Sequence, residues 1–494
     1  MISNILVLGG GSAGFVAAIT LKRKLPHLDI RVIRSPEIGI IGVGEGTTPN
    51  FGRHFFEYLA LPPKDFFDIA RPTWKAGIRF LWGERETFPY AFDTAYGTRF
   101  ADLPRNNGFY CHDEIRDMSP MSAGIARKRV FSRDSNGRIV FTLSEYAFHI
   151  ENVNLVSYLE TLARQLGVTV TDHTVERADT NGETITALHT TGGETVTADL
   201  YIDASGFGSC LLGRALGEPF IDFTDTLFCD RAVIGPRDRL PDEIINPYTM
   251  AETMDHGWCW QIDHEHHINR GYVYSSRFVS DEDAEAEFRR KNPLVGKTRI
   301  VNFRTGRYRR SWVGNVVAVG NSSGFVEPLE ATALMLLCTE CQTLADGLID
   351  SVCAPGPELI ALYNRFMGSR WDEIRDFLAI HYRFNTRLDT PFWQAARNET
   401  RLHGAEEIVA FYRENGPSLL AERIHLSENN QFGIEGYLAL MVGMRVPHLK
   451  PHTPGPGEIQ RLAAHQRRNA QNAESGYTVA EVLAMLRDPR WRWV

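Results

Sequence analysis

Gly9, Gly11 and Gly14 form a G-x-G-x-x-G turn near the start of the chain. In such a turn the first glycine permits a tight reversal, the second lets a pyrophosphate approach bare backbone, and the third lets a helix pack closely on a strand. A helix that begins there, through Ser12 and Ala13, presents free N–H groups and partial positive charge to phosphates, so the chemistry is dinucleotide binding. A second turn, Ile41–Pro49, holds three glycines and a proline in nine residues and is too rich in both to be a regular element. Gly44 and Glu45 within it are expected along the cofactor. A third stretch runs from a buried strand (Val316 to Val319) through a small-residue loop into a helix of about Ala331 to Ile349, whose free N–H groups suit an anion. The plainer alternative is an ordinary helix start, with Pro328 early and acids in the first turn as dipole partners. Lys75 stands among Trp74, Ala76 and Phe80-Leu81-Trp82; by residue type alone it is a surface lysine with a buried stem.

Hydrophobic periodicity supplies the scaffold for these residues. Asn4–Leu8 is a short apolar strand, Phe15-Val16-Ala17-Ala18 opens a helix that reaches about Lys24, and Asp29–Ile33 is a second strand. Where a dinucleotide fold ordinarily carries an acid for the ribose, this chain has Arg34-Ser35-Pro36-Glu37. Ser35 or Glu37 can take the ribose, Arg34 can contact a phosphate, or the segment is a solvated strand end. Leu155, Leu159, Leu162, Ala163 and Leu166 recur at helical spacing, Val168-Thr169-Val170 is a strand, and Thr184 through Thr197 reads as a hairpin. Leu200–Asp203 is another strand, so the nucleotide-binding unit resumes after an insertion and the domains are interleaved. Residues 228–279 read as a second sheet, in which alternation puts Trp258, Trp260 and Ile262 on one face. From Arg79 to Phe141 the chain is aromatic but without periodicity and reads as irregular. Residues 357–444 are helical, Lys450–Gly457 is a linker, and a terminal amphipathic segment ends in Trp491-Arg492-Trp493. His264, His266 and His267 read as a polar turn, without a cysteine or carboxylate set at ligand spacing, so no metal is expected. Cys338-x-x-Cys341 sits mid-helix among leucines and reads as two small core residues rather than a redox pair.

The totals narrow the class. The 494 residues carry a net charge of −8, against a general nucleic-acid binder, which needs a basic face. Seven cysteines at irregular spacing fit a reducing compartment rather than a disulfide framework. Met1-Ile2-Ser3-Asn4 lacks the basic start of a signal peptide, and no stretch approaches the ~20 apolar residues of a membrane span, so the expected location is the cytoplasm. A homodimer is compatible with the sequence, which does not otherwise speak of oligomeric state.

Several motifs in order then point to a family. G-V-G-E-G-T-T-P (42–49), Lys75 in a K-x-x-I context, G-W-C-W-Q-I-D (257–263), G-Y-V-Y-S-S (271–276) and F-V-E-P-L-E-A-T (325–332) resemble flavin-dependent halogenases, the tryptophan halogenase group, over about residues 1 to 350. Asp203-Ala204-Ser205-Gly206-Phe207 resembles the wider family built like p-hydroxybenzoate hydroxylase. The resemblance implies an α/β fold: a GxGxxG FAD-binding domain (about 1–80, 145–210 and 300–350) interleaved with a β-sheet substrate domain (about 80–145 and 211–300), plus a helical region, 351–494, that closes the substrate pocket. It implies FADH2, oxygen and chloride or bromide as reactants, and hypohalous acid as the oxidant. Lys75 would intercept that oxidant and Glu330 would be the substrate-side carboxylate. The backbone amides of Thr332 and Ala333 would hold halide, Val175 would meet the adenine, and Asn321 and Leu334 would join the flavin site. No second nucleotide fingerprint is present for NADH, so a separate flavin reductase is the expected partner. The chain departs from the pattern at Asp263, where the family has proline, and at Ala331, where it has serine. Asp263 keeps a flavin-dependent aromatic monooxygenase as the alternative, and a catalytically silent flavin-binding protein is a third.

Overall fold

The computed structural model describes residues 1–39, 42, 44–93, 115–133, 136–137, 143–425 and 430–491. Ile41 and Val43 of the glycine-rich loop, and Arg492 and Trp493, lie outside them. The chain divides into two compact units, each assembled from three segments: Met1–Pro72, Ile150–Phe223 and Phe303–Asp372 in the first, and Thr73–His149, Thr224–Asn302 and Glu373–Val494 in the second. Among the described residues no helix is long and apolar enough to cross a membrane.

The first unit is built on a six-stranded sheet whose order is Trp312–Val313, Val316–Ala318, Leu200–Asp203, Asn4–Leu8, Asp29–Arg34, Thr169–Asp172. All neighbours are parallel except the edge pair Trp312–Val313 and Val316–Ala318. Parallel strands are covered on both faces, which is why Ile5 to Leu8 form an unbroken apolar run and are all buried. The helix Ser12–Lys24 follows the first strand, and Asn152–Gln165 packs beside it. Thr184–Thr190 turns back to pair with Thr195–Val196, the expected hairpin, and on its other edge pairs antiparallel with Val175–Asn181. The glycine-rich loop is more ordered than its composition suggests: Glu45–Gly46 is a short strand, and Pro49 opens a helical turn as an N-terminal proline can.

The second unit carries a seven-stranded sheet, ordered Arg299–Asn302, Arg231–Asp238, His267–Tyr274, Gly257–Asp263, Thr249–Met254, Gly77–Leu81, Phe88–Ala91. The strands Gly77–Leu81 and Phe88–Ala91 and the helix Pro120–Arg127 correct the irregular reading of 79–141. The strands are short, and Phe88–Ala91 buries only Phe88 outright, so neither shows a clear apolar alternation. The strand that carries the start of the G-Y-V-Y-S-S motif spans His267–Tyr274. Tertiary anchors are specific: the Trp82 indole N–H donates to the His381 carbonyl at 2.9 Å, and that of Trp393 to the Met254 carbonyl at 2.7 Å.

Gly257–Asp263 is central and buried along its whole length. Trp260 pairs with Gly271 on the neighbouring strand, and its ring covers that glycine so closely that a Cβ there would lie 2.0 Å from it. Gly271→Ala is therefore expected to destabilise the fold by ~1–3 kcal/mol through overpacking. The measurement is a denaturant midpoint, and an unchanged one would place the Trp260 ring elsewhere.

Candidate active site

In the first unit the glycine turn is tight enough to exclude side chains. Gly9 sits at φ +127°, and a Cβ there would meet the Ala204 carbonyl oxygen at 2.2 Å. A Cβ on Gly14 would lie 1.9 Å from the Gly9 carbonyl oxygen, so strand and helix touch backbone to backbone. Gly11 faces open space, and no side chain caps the helix it precedes. The first N–H groups at Ser12, Ala13 and Gly14 are thus offered bare, which fits the pyrophosphate of FAD. Ser35 Oγ lies 2.7 Å from Thr174 Oγ1, the residue before Val175. Glu37 is exposed, and its N–H donates to Ser35 Oγ at 3.3 Å. Arg34 is ion-paired in this structure. Its guanidinium donates to Asp172 at 2.6 Å and Glu160 at 2.5 Å, and its stem packs on Gly10. Gly44 is buried; Glu45 keeps some exposure, yet its carboxyl is packed round by protein, and desolvation pushes it up to about 6 against the 2.8 Å hydrogen bond from Asn152.

Asp203 organises the next layer. Its buried carboxylate accepts from the N–H groups of Leu211 and Leu212 at 2.8 and 2.9 Å, and from Ser205 Oγ at 2.6 Å. Its carbonyl accepts from Val319 N–H, and Ser322 Oγ donates to the Gly206 carbonyl at 3.1 Å. The Asp-Ala-Ser-Gly turn is so tied to the turn Gly320–Ser322, which also approaches Ala13. Beyond it Ala331 adopts φ +56°, a left-handed conformation that costs a non-glycine residue roughly 1–2 kcal/mol. That reversal aims the start of the helix Thr332–Asp350, again without a side-chain cap, into a small pocket. Asn321, Thr332 and Ala333 line it, with Glu340 and Trp371. Leu334 and Glu330 are buried beside it in sequence.

Glu340 is the residue sequence reasoning passed over; an acid one position before Cys341 in an apolar helix was the available signal. It is fully buried, accepts from Gly320 N–H at 2.7 Å and from Ser323 Oγ at 2.6 Å, and desolvation pushes it up to about 8. Ser323 Oγ in turn accepts from the Trp371 indole at 3.0 Å. Burial and the neighbouring Glu340 push the thiols of Cys338 and Cys341 up, as expected of core residues rather than redox thiolates.

Lys75 belongs to the second unit, whereas Glu330, Thr332, Ala333 and the cofactor candidates belong to the first. It is wholly buried, unlike a surface lysine, and its ammonium lies 5.2 Å from the centre of the Phe92 ring. It ends the strand Thr73–Lys75, which pairs antiparallel with Ala147–Ile150 in the register Thr73 to His149, Trp74 to Phe148, Lys75 to Ala147. Alternation therefore puts Thr73, Lys75 and His149 on one face and Trp74 and Phe148 on the other. His149, also buried, lies 2.9 Å from Thr249 Oγ1; desolvation, then the nearby Lys75 charge and His264, hold it well below the usual imidazole range. His264 and His267 stack across the hairpin turn, ring centres 4.7 Å apart.

The tryptophan halogenase family model matches residues 4–455. The chain belongs to the tryptophan halogenase family. It is 31% identical over 512 residues to tryptophan 7-halogenase RebH of Lentzea aerocolonigenes, covering 95% of this chain and 96% of that one. It is 33% identical to tryptophan 7-halogenase KtzQ of a Kutzneria species, covering 84% and 82%. Among solved structures it resembles MibH, a lathipeptide tryptophan 5-halogenase, with a TM-score of 0.87 at 36% identity over 99% of this chain and 94% of that one. This flavin-dependent halogenase thus works with FADH2 and halide.

Glu340 gives the family member a measurable titration. Its carboxyl is near 4.5 when unfolded and about 8 when folded, so the folded state holds the proton more tightly. Stability is then full below pH 4.5, falls as pH rises towards 8 by up to about 1.4 kcal/mol per pH unit, and levels above. Glu340→Gln is expected to flatten that slope in denaturation curves taken from pH 5 to 8; an unaltered slope would assign it to other groups.

Proposed function

We propose that this halogenase places chlorine or bromine on an electron-rich aromatic of the indole or tryptophan type, with Lys75 handling hypohalous acid and Glu330 assisting at the substrate. Reduced flavin, when bound, supplies the activation of oxygen that oxidises halide. The observation that carries the reading is Lys75: a lysine wholly withdrawn from water at the end of a paired strand, with an aromatic ring near its ammonium. An ammonium is a strong hydrogen-bond donor and can hold and polarise a hypohalous acid. To carry the halogen as a haloamine it must first give up a proton, which desolvation favours. The uncapped N–H groups of Thr332 and Ala333 suit chloride or bromide. Glu330, buried in the segment before that helix, has the chemistry to stabilise or deprotonate the cationic ring that halogen addition creates. Gly9, Gly11, Ser12, Ala13, Gly14, Ser35, Gly44, Glu45, Val175, Asn321 and Leu334 are the proposed FAD contacts, supported by the bare helix start and the pairing of Ser35 with Thr174. The relatives are named as tryptophan halogenases, and that favours an indole here. A separate reductase supplies the reduced flavin, and the free thiols fit a cytoplasmic setting.

The test supplies reduced FAD, bromide or chloride, and a panel of tryptophan, free indole, an indole-bearing peptide and a phenol, read by mass spectrometry. A halogenated product is expected. Lys75→Ala is expected to abolish it while flavin oxidation continues, and Glu330→Gln to slow it by roughly 10²–10⁴-fold. A hydroxylated product that forms without halide would overturn the reading.

A further inference from the structure

We propose that Asp263 is a positioning residue for Lys75, because its buried carboxylate and carbonyl fix the backbone on both sides of the lysine. The proposal rests on the role given to Lys75 above. Asp263 is wholly buried at the end of Gly257–Asp263. One carboxylate oxygen accepts from Gln261 Nε2 at 2.8 Å. The other accepts from Arg239 Nη2 at 3.1 Å and from the N–H and Nδ2 of Asn246 at 3.1 and 3.2 Å. A carboxylate with four donors is rigidly placed, and so are the segments that hold them.

Two of those segments grip the strand that carries Lys75. Two residues before the lysine, Thr73 Oγ1 donates to the Asp263 carbonyl at 2.6 Å. One residue after it, the Ala76 N–H donates to the Pro247 carbonyl at 2.8 Å, and Pro247 directly follows the Asn246 that Asp263 binds twice. His149, the strand partner of Thr73, is also turned towards the Asp263 backbone. A proline at this position would keep the carbonyl but offer no carboxylate for Asn246, Arg239 and Gln261. The acid is thus a second way to fix the lysine's strand rather than a loss of the motif's purpose.

The readout is coupling: halogenated product divided by hypohalous acid released, the latter caught by a β-diketone trap, with bromide and the indole of the panel above that the parent converts best. Asp263→Asn and Asp263→Ala are expected to oxidise reduced flavin at the parent rate while coupling falls about tenfold or more, since a displacement of an ångström can cost on the order of 10²-fold. Thr73→Val, which removes a single tie, is expected to lower coupling in the same direction and serves if the Asp263 variants do not fold. In a Lys75→Ala background, where product is already lost, Asp263→Asn is expected to leave the trapped hypohalous acid per flavin oxidised unchanged. The proposal is overturned if product and trapped oxidant fall together at constant ratio, or if Asp263→Asn alters that trapped yield in the Lys75→Ala background. A Lys75→Ala enzyme as well coupled as the parent would remove the lysine's role, and the positioning of it as well.

Discussion

An ammonium taken wholly out of water loses several kcal/mol of hydration that its surroundings must offset. Lys75 is in that situation. Its strand is short, with Thr73–Lys75 paired to Ala147–Ile150, and it is also tied through Thr73 Oγ1 to the Asp263 carbonyl and through the Ala76 N–H to the Pro247 carbonyl. His149 shares its face and is held neutral by burial and by the lysine's own charge, which avoids two adjacent cations in a dry site. The Phe92 ring offers its negative face to the ammonium without adding a formal charge.

The first unit solves a different problem, which is to bring bare backbone to an anionic ligand. Backbone can be exposed to a ligand only if no side chain intervenes and the turn is held from behind. Gly9 and Gly14 meet the first condition by contacts too close for a Cβ. Asp203 and Glu340 meet the second: each is a buried acid whose oxygens accept from turn N–H or serine groups, one behind Asp-Ala-Ser-Gly and one behind Gly320–Ser323. Their electrostatics differ. Asp203 gathers three N–H groups and a hydroxyl, whereas Glu340 has two donors in an apolar helix and holds its proton to about 8.

Much of the first unit was legible because its signals are local. A buried apolar run, a glycine turn and a helical repeat lie within the first 24 residues, and the strand Asn4–Leu8 and helix Ser12–Lys24 follow from them. The helix that starts at Thr332 was readable for the same reason. Gly77–Leu81 and Phe88–Ala91 were not, since residues there serve packing partners far along the chain, as Phe80 does with its ring centre 5.4 Å from that of His381; the eight-residue helix Pro120–Arg127 was also missed. Arg34 shows the limit at a single residue: nothing near it in sequence announces its ion pairs with Asp172 and Glu160, more than a hundred positions away.

The sequence by itself determined the family and the dinucleotide turn, because glycine spacing and hydrophobic period are properties of neighbouring residues. It also marked Lys75 and Asp263 as notable. Tertiary structure alone decided what those residues are. Lys75 is buried because strands from 73 and 147 pair, and Asp263 is an anchor because Arg239, Asn246 and Thr73 converge on it across as many as 190 positions. Desolvation and hydrogen-bond geometry are fixed by which distant segments meet, and no local pattern encodes that meeting.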